Sequence, residues 1–401
     1  MFLSRLGRPP RIAMFNAAAP GHIYTSLEVI RELVTRGHRV TYAIPEKYAD
    51  LVLSVGAEPR PYRCVLGMDT GDWLNKGPVG CMEAGLADSM QALPQLASAY
   101  ADDRPDLVLY DWLTPYARIL ARQWGVPAVM LAQMSDWEPT EEERAEAARS
   151  SRPDPRHEAH ERRYRDWLDR HGFSDMDVYT FANRPDRSLG LIPRFLQPHA
   201  DRIDPAVHTF VGACLGDRSH QGRWQRPPGV AATDRLLLIT LGTSYSDEPG
   251  FFDNCVEAFG NLPGWHVVLH VWRDADRAAL DKVPANFEVH GRIPQLAILR
   301  QADAFISRGG MGAVLEALSC EVPMVTIPRG ADQFLNSQTL RELGVAREIA
   351  AEEVTGEALR TAVTGLVEDP EVADRLGRLR ERMAQEGGAR RAVDLIEAEL
   401  R

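Results

Sequence analysis

The sequence predicts an α/β protein made of two Rossmann-like, doubly wound halves, and three observations lead there. Short apolar runs of strand length alternate with helical stripes, first from Ile12 and again from Leu236. At 401 residues the chain is too long for one ordinary core. Between Ala304 and Leu318 an apolar run, three glycines within four positions and a helical stripe follow one another.

In the first half, Ile12-Ala13-Met14-Phe15 reads as a buried strand. Thr25-Ser26-Leu27-Glu28 has the form of a capping box, and Leu27, Ile30, Leu33 and Val34 make a helical stripe ended by Gly37. Val40 to Ile44 is the next strand, completing a β-α-β unit. The first turn, Asn16 to His22, has no G-x-G, so no dinucleotide is expected there. Asp106-Leu107-Val108-Leu109-Tyr110-Asp111 ends another apolar strand with a carboxylate. A lone His near a helix start is more often a capping or solvated residue; what singles out His22 is Asp111. Two strands of one parallel sheet deliver an imidazole and a carboxylate to the same edge, where the carboxylate can hold the ring and stabilise its protonated form.

Further along, Trp73 to Leu93 is read as loop and helix over the sheet, or as the wall of an apolar pocket. Gln133 to Trp137 follows the strand Ala128 to Leu131 at its end. More than half of Glu141 to Arg170 is charged, which reads as a solvated helical excursion. Leu189 to Ile192 and Thr209 to Val211 close the first domain, residues 1–216. Asp217 to Thr233, polar and carrying Pro227-Pro228-Gly229, reads as a linker, and 234–388 as the second domain.

That second domain opens on Leu236 to Leu241, followed by Gly242-Thr243-Ser244, a small turn able to meet a diphosphate. Ser307-Arg308-Gly309-Gly310-Met311-Gly312 leads from a strand into a helix, where unpaired N–H groups and the positive end of the dipole favour an anion. Glu316, one turn in, is placed to accept two hydroxyls of a ribose. Met324 to Pro328 is a second buried strand leading to Asp332-Gln333. A phosphate cradle, a diol acceptor and a polar pair at a strand end suit a nucleotide-sugar. The rival ligand, a dinucleotide, lacks the third glycine of its fingerprint in Gly310 to Leu315.

Composition narrows the choice. A net charge of −11 argues against a nucleic-acid binder. Five scattered cysteines without a C-x-x-C fit reduced thiols in a cytoplasm. Met1 to Pro10 has no apolar segment of signal-peptide type, and no run approaches a membrane span, so no integral membrane association is expected.

Arg292-Ile293-Pro294-Gln295, Gly310-Met311-Gly312 with Glu316, and Asp332-Gln333 together resemble the nucleotide-sugar signature of the GT-B family-1 glycosyltransferases, most of all the bacterial macrolide and antibiotic enzymes. The likeness runs over nearly the whole chain, including Gln295 to Leu299 and Met383 to Gly388. It implies two domains facing across a cleft, an acceptor site in the first and a nucleotide-sugar site in the second. It implies His22 as general base with Asp111 behind it, and a last helix, 389–401, returning to the first domain. It also implies an inverting transfer from a UDP-sugar, with a dTDP-sugar as the other donor, to a hydroxyl of a small natural product. No metal and no tightly bound cofactor are implied, and the expected state is monomer or homodimer. Two positions depart from the family pattern. Arg292 stands where a Trp stacks on the base, and Arg308 where a His contacts the diphosphate; a guanidinium can serve either purpose.

Two other readings compete. A catalytically silent protein of this fold acting as a binding or activating partner would account for both arginines; a sugar-nucleotide epimerase is the other. Asp274-Ala275-Asp276 also matches the D-x-D metal-nucleotide site of the other large glycosyltransferase fold, though an acidic pair opening a helix is the commoner explanation.

Overall fold

The computed structural model describes residues 8–66, 76–134, 140–142, 154–242, 250–271, 283–330 and 332–400. The chain divides into two units, Met1–Cys214 with Glu386–Arg401, and Leu215–Gln385. Each is built on one wholly parallel sheet.

The first sheet has seven strands: β1 (Arg11–Phe15), β2 (Arg39–Ile44), β3 (Glu58–Pro61), β4 (Leu107–Tyr110), β5 (Ala128–Ala132), β6 (Ser188–Gly190) and β7 (His208–Phe210). Their order is β3-β2-β1-β4-β5-β6-β7. Both faces are covered, which is why the strands are apolar runs without alternation. Ile12, Met14, Leu107 and Leu109 face a core shared with α1 (Pro20–Thr35) and the C-terminal helix Gly388–Glu399, through Ile23, Leu27, Ile30, Val393 and Ile396. The intervening Ala13, Phe15, Val108 and Tyr110 face the opposite core, with α2 (Gly77–Ala99), α3 (Tyr116–Trp124) and α4 (Pro155–Arg170). The edge strand β3, Glu58-Pro59-Arg60-Pro61, carries two prolines, which an edge tolerates because it has one neighbour to satisfy.

Two local expectations change. α1 begins at Pro20, five residues before the capping box, because proline is preorganised for the first turn. Thr25 therefore lies inside the helix, and its Oγ1 donates to the His22 carbonyl (2.8 Å). Within the charged excursion, α4 is one-sided: capped by Asp154, it buries His160, Tyr164, Trp167 and Leu168. Residues 217–233, expected as a linker, fall within the span of the second unit, Leu215–Gln385.

The second sheet orders β8 (Arg235–Thr240), β9 (Trp265–His270), β10 (Phe287–His290), β11 (Ala304–Ser307), β12 (Met324–Thr326) and β13 (Ala346–Glu348) as β10-β9-β8-β11-β12-β13. Here α5 (Gln295–Leu299), α6 (Met311–Ser319) and α7 (Gln333–Glu342) matter most. In both sheets the order reverses at one point, between β1 and β4 and between β8 and β11. A crevice beyond the strand C-termini forms at such a point.

Candidate active site

In the first unit, Asp111 follows β4 and His22 lies in the first turn of α1, which follows β1, so the two sit at the reversal of strand order. His22 Nδ1 lies 2.8 Å from Asp111 Oδ2. A carboxylate only accepts, so Nδ1–H donates and the neutral ring carries its lone pair on Nε2. Asp111 is buried, and its Oδ1 accepts from the Leu113 amide (2.9 Å). The turn carrying His22 is held from two sides. Asn16 Nδ2 donates to the His22 carbonyl (3.1 Å) and to Tyr42 OH (2.7 Å), and Gln133 Nε2 to the Gly21 carbonyl (3.0 Å). The exposed Trp112 ring lies 6.4 Å from the imidazole.

In the second unit, β8 ends at Thr240, and Gly242 (φ +72°) in the turn that follows donates its N–H to Thr240 Oγ1 (3.2 Å). Thr243 and Ser244 lie outside the described residues, as does the Asp274-Ala275-Asp276 motif. From β11 the chain passes through Arg308, Gly309 and Gly310 into α6, with Gly310 at the N-cap and no side-chain cap on it. Only Gly309 of this turn needs the left-handed region (φ +80°). A Cβ at Gly310 or Gly312 would meet nothing within 4 Å among the described residues, so the first turn, with Met311 buried between them, is open on that face.

Arg308, expected to reach outward to a diphosphate, is buried, and its NH1 donates to the Ile327 carbonyl at the end of β12 (3.1 Å). Arg292 is exposed, and Ile293 beside it is half-buried. Asp332 Oδ2 accepts from the Met311 amide (3.3 Å) and from Asn336 Nδ2 (2.8 Å), and Asn336 also donates to the Gly309 carbonyl (2.9 Å). Gln333 Oε1 accepts from the Arg329 (2.9 Å) and Gly330 (3.3 Å) amides. The two polar residues at the β12 end are thus tied into the glycine turn and the loop before α7.

Glu316 is 6 % exposed. Its Oε2 accepts from Gln295 Nε2 (2.9 Å), and its Oε1 lies 3.5 Å from Arg218 Nε. Burial pushes its pKa above the ordinary carboxylate range, against the opposing pull of Arg218 and Gln295. The sequence had placed Arg218 in a linker, and nothing local marks it as a site residue. Gly242, Arg308, Gly310 and Met311 therefore share the reversal between β8 and β11, with Asp332 joined to them. Gln295 and Glu316 form a second cluster one turn further along α6. Among the described residues no group of three or more His, Cys, Asp or Glu side chains can hold a metal ion, and no helix is long and apolar enough to cross a membrane.

Comparison with known proteins bears on the family and the fold. Residues 258–398 match the family model of the erythromycin biosynthesis protein CIII-like C-terminal domain. The chain is 51% identical over 396 residues to the oleandomycin glycosyltransferase of Streptomyces antibioticus, covering 98% of this chain and 91% of that one. Among solved structures, it resembles the glycosyltransferase of kitacinnamycin with a TM-score of 0.89, at 44% identity over 98% of this chain and 100% of the other. It resembles the calicheamicin glycosyltransferase with a TM-score of 0.81, at 30% identity over 98% of each.

Proposed function

The chain belongs to the family-1 glycosyltransferases of the macrolide and antibiotic type, and on that premise we propose that it glycosylates a hydroxyl of a macrolide-like acceptor from a nucleoside-diphosphate sugar, with inversion. The observation that carries the mechanism is the 2.8 Å hydrogen bond between His22 and Asp111 at the strand reversal. With Nδ1 engaged, Nε2 takes the proton of the acceptor hydroxyl as its oxygen attacks the anomeric carbon. The bond to the nucleoside diphosphate breaks on the opposite face, and Asp111 stabilises the imidazolium formed. In the second unit the first turn of α6 supplies N–H groups for the diphosphate beside the Met311 amide that Asp332 already holds, and Gly242, whose own N–H is held by Thr240, lets the phosphates come close to the backbone. Glu316 with Gln295 takes the ribose, Arg292 covers the base, and Asp332 and Gln333 meet the sugar. UDP is the favoured nucleotide, with dTDP the alternative, and the expected compartment is the cytoplasm. The intact His22–Asp111 pair favours this over a silent binding partner, and nothing observed favours an epimerase.

The test is turnover with UDP- and dTDP-sugars and oleandomycin as trial acceptor, reading product anomeric configuration by NMR coupling. His22→Ala should lower turnover roughly a hundredfold or more while leaving nucleotide affinity unchanged. Asp111→Asn should do less harm. Retention of configuration, or full activity without His22, removes the mechanism.

A further inference from the structure

Arg218 enters the second unit by an unusual route. Its backbone is left-handed (φ +54°, ψ 25°), a conformation that costs a side-chain-bearing residue roughly 1 kcal/mol or more and persists where its surroundings impose it. Asp217 Oδ1 accepts from the Ser219 amide (3.0 Å), which closes the turn on the other side. The result is a guanidinium-bearing residue only 7 % exposed, with Nε 3.5 Å from Glu316 Oε1. The other carboxylate oxygen is held by Gln295 Nε2 at 2.9 Å.

We propose that Arg218 is a positioning residue of the nucleotide site, holding and orienting the Glu316 carboxylate for the ribose hydroxyls. This rests on the assignment of Glu316 to the ribose. A carboxylate accepts two hydroxyls well only when ionised, and one as buried as Glu316 is driven toward its neutral form. Arg218 is the cation opposite its Oε1, while Gln295 is neutral. Just past the end of α6, the half-buried Cys320 thiol also senses Glu316; burial chiefly raises its pKa and this carboxylate adds to that, against Ser319 and Arg300. Arg218 is thus the charge that keeps Glu316 an acceptor, through the 3.5 Å ion pair at its Nε.

The sign of the pH effect follows. Glu316 has a raised pKa, so nucleotide binding weakens as pH falls through that value. Removing Arg218 raises the pKa further, so the weakening begins at higher pH. Calorimetry of UDP and 2′-deoxy-UDP between pH 5.5 and 8.5 reads this directly. In Arg218→Gln, UDP affinity should fall about tenfold or more at the acid end and much less at the alkaline end, one unit of pKa being worth a factor of ten. The preference for UDP over its deoxy analogue should shrink in parallel. Arg218→Lys should restore the parent pH profile but only part of the affinity. An Arg218→Gln profile parallel to the parent's, with the ribose preference unchanged, overturns the proposal.

Glu316→Gln separates the two assignments. If it leaves UDP affinity and the ribose preference intact, the ribose assignment itself is wrong; if it loses both while Arg218→Gln loses neither, only Arg218 is excluded. Should Arg218→Gln unfold at the assay temperature, melting of Arg218→Gln/Glu316→Gln decides. A held pair predicts that the second substitution restores much of the Tm lost to the first, whereas additive losses overturn the proposal.

Discussion

Arg308 shows how much a single side chain's surroundings change its meaning. In sequence it precedes a glycine turn and looks aimed at an anion. In the structure it is buried and donates to the Ile327 carbonyl, joining the end of β11 to the end of β12. Both uses are compatible with a guanidinium, which carries five donors. Arg308→Ala is therefore expected to act twice. It leaves a buried carbonyl without this donor, so stability should fall by about 1–3 kcal/mol, read by denaturant unfolding. It should also weaken UDP more than uridine, read by calorimetry at a temperature where the variant is folded. Equal losses of UDP and uridine would leave Arg308 a purely structural tie.

At the scale of the element, the passage from β11 into α6 separates two kinds of glycine. Gly309 sits at φ +80°, where a Cβ would reach Thr326 Cγ2 at 3.4 Å and Ser337 Oγ at 3.5 Å, both ordinary contacts. The cost of Gly309→Ala is then backbone strain, roughly 1–2 kcal/mol. Gly310 has φ −63°, and a Cβ there meets nothing nearby. Gly310→Ala should melt within about 0.5 kcal/mol of the parent yet lose nucleoside-diphosphate affinity, because the added methyl occupies the face a phosphate approaches. Thermal melts and calorimetry on the pair give the check. If Gly310→Ala binds normally, the phosphate does not approach this turn. α1 carries a related lesson: its start at Pro20 puts His22 on a helix anchored by Asn16 and Gln133, a firmer mount than a loop.

Across the first unit, the proposed catalytic pair and an ion network occupy opposite edges of one sheet. The C-terminal strand ends carry His22 and Asp111, while the N-terminal ends carry an ion network. Arg39 reaches Asp103 (2.6 Å) and Glu58 (2.6 Å), and Arg11 reaches Asp103 (3.1 Å). Hydrogen bonds from Arg39 hold both carboxyls below their usual range. Groups depressed in this way contribute stability above their unfolded pKa and lose it as pH falls through the folded value. Arg39→Ala should therefore lower Tm at neutral pH, with the gap to the parent closing below about pH 4, where carboxylates protonate in either protein. A gap independent of pH would mean that Arg39 acts through packing alone.

Much of this molecule is legible in one dimension. Apolar runs at strand length, stripes at helical spacing and a glycine turn between them are properties of neighbouring residues, and they suffice for two parallel α/β sheets. The pairing of His22 with Asp111 was also within reach, because parallel strands bring their ends to one edge whatever the loops between them do. What the sequence did not contain were contacts set by which strand lies beside which. For His22 and Asp111 the sequence offered only a shared sheet edge; that β1 lies against β4 makes it a 2.8 Å contact. The one-sided burial of α4 depends on the sheet face beneath it, so a charge count read the helix as solvated. Asp332 bonds the Met311 amide, and Arg218 faces Glu316, through elements far apart in the chain. A polar residue in a polar stretch carries no periodic signal of its partner; only folding, which withdraws both from water and makes each the other's compensation, selects it.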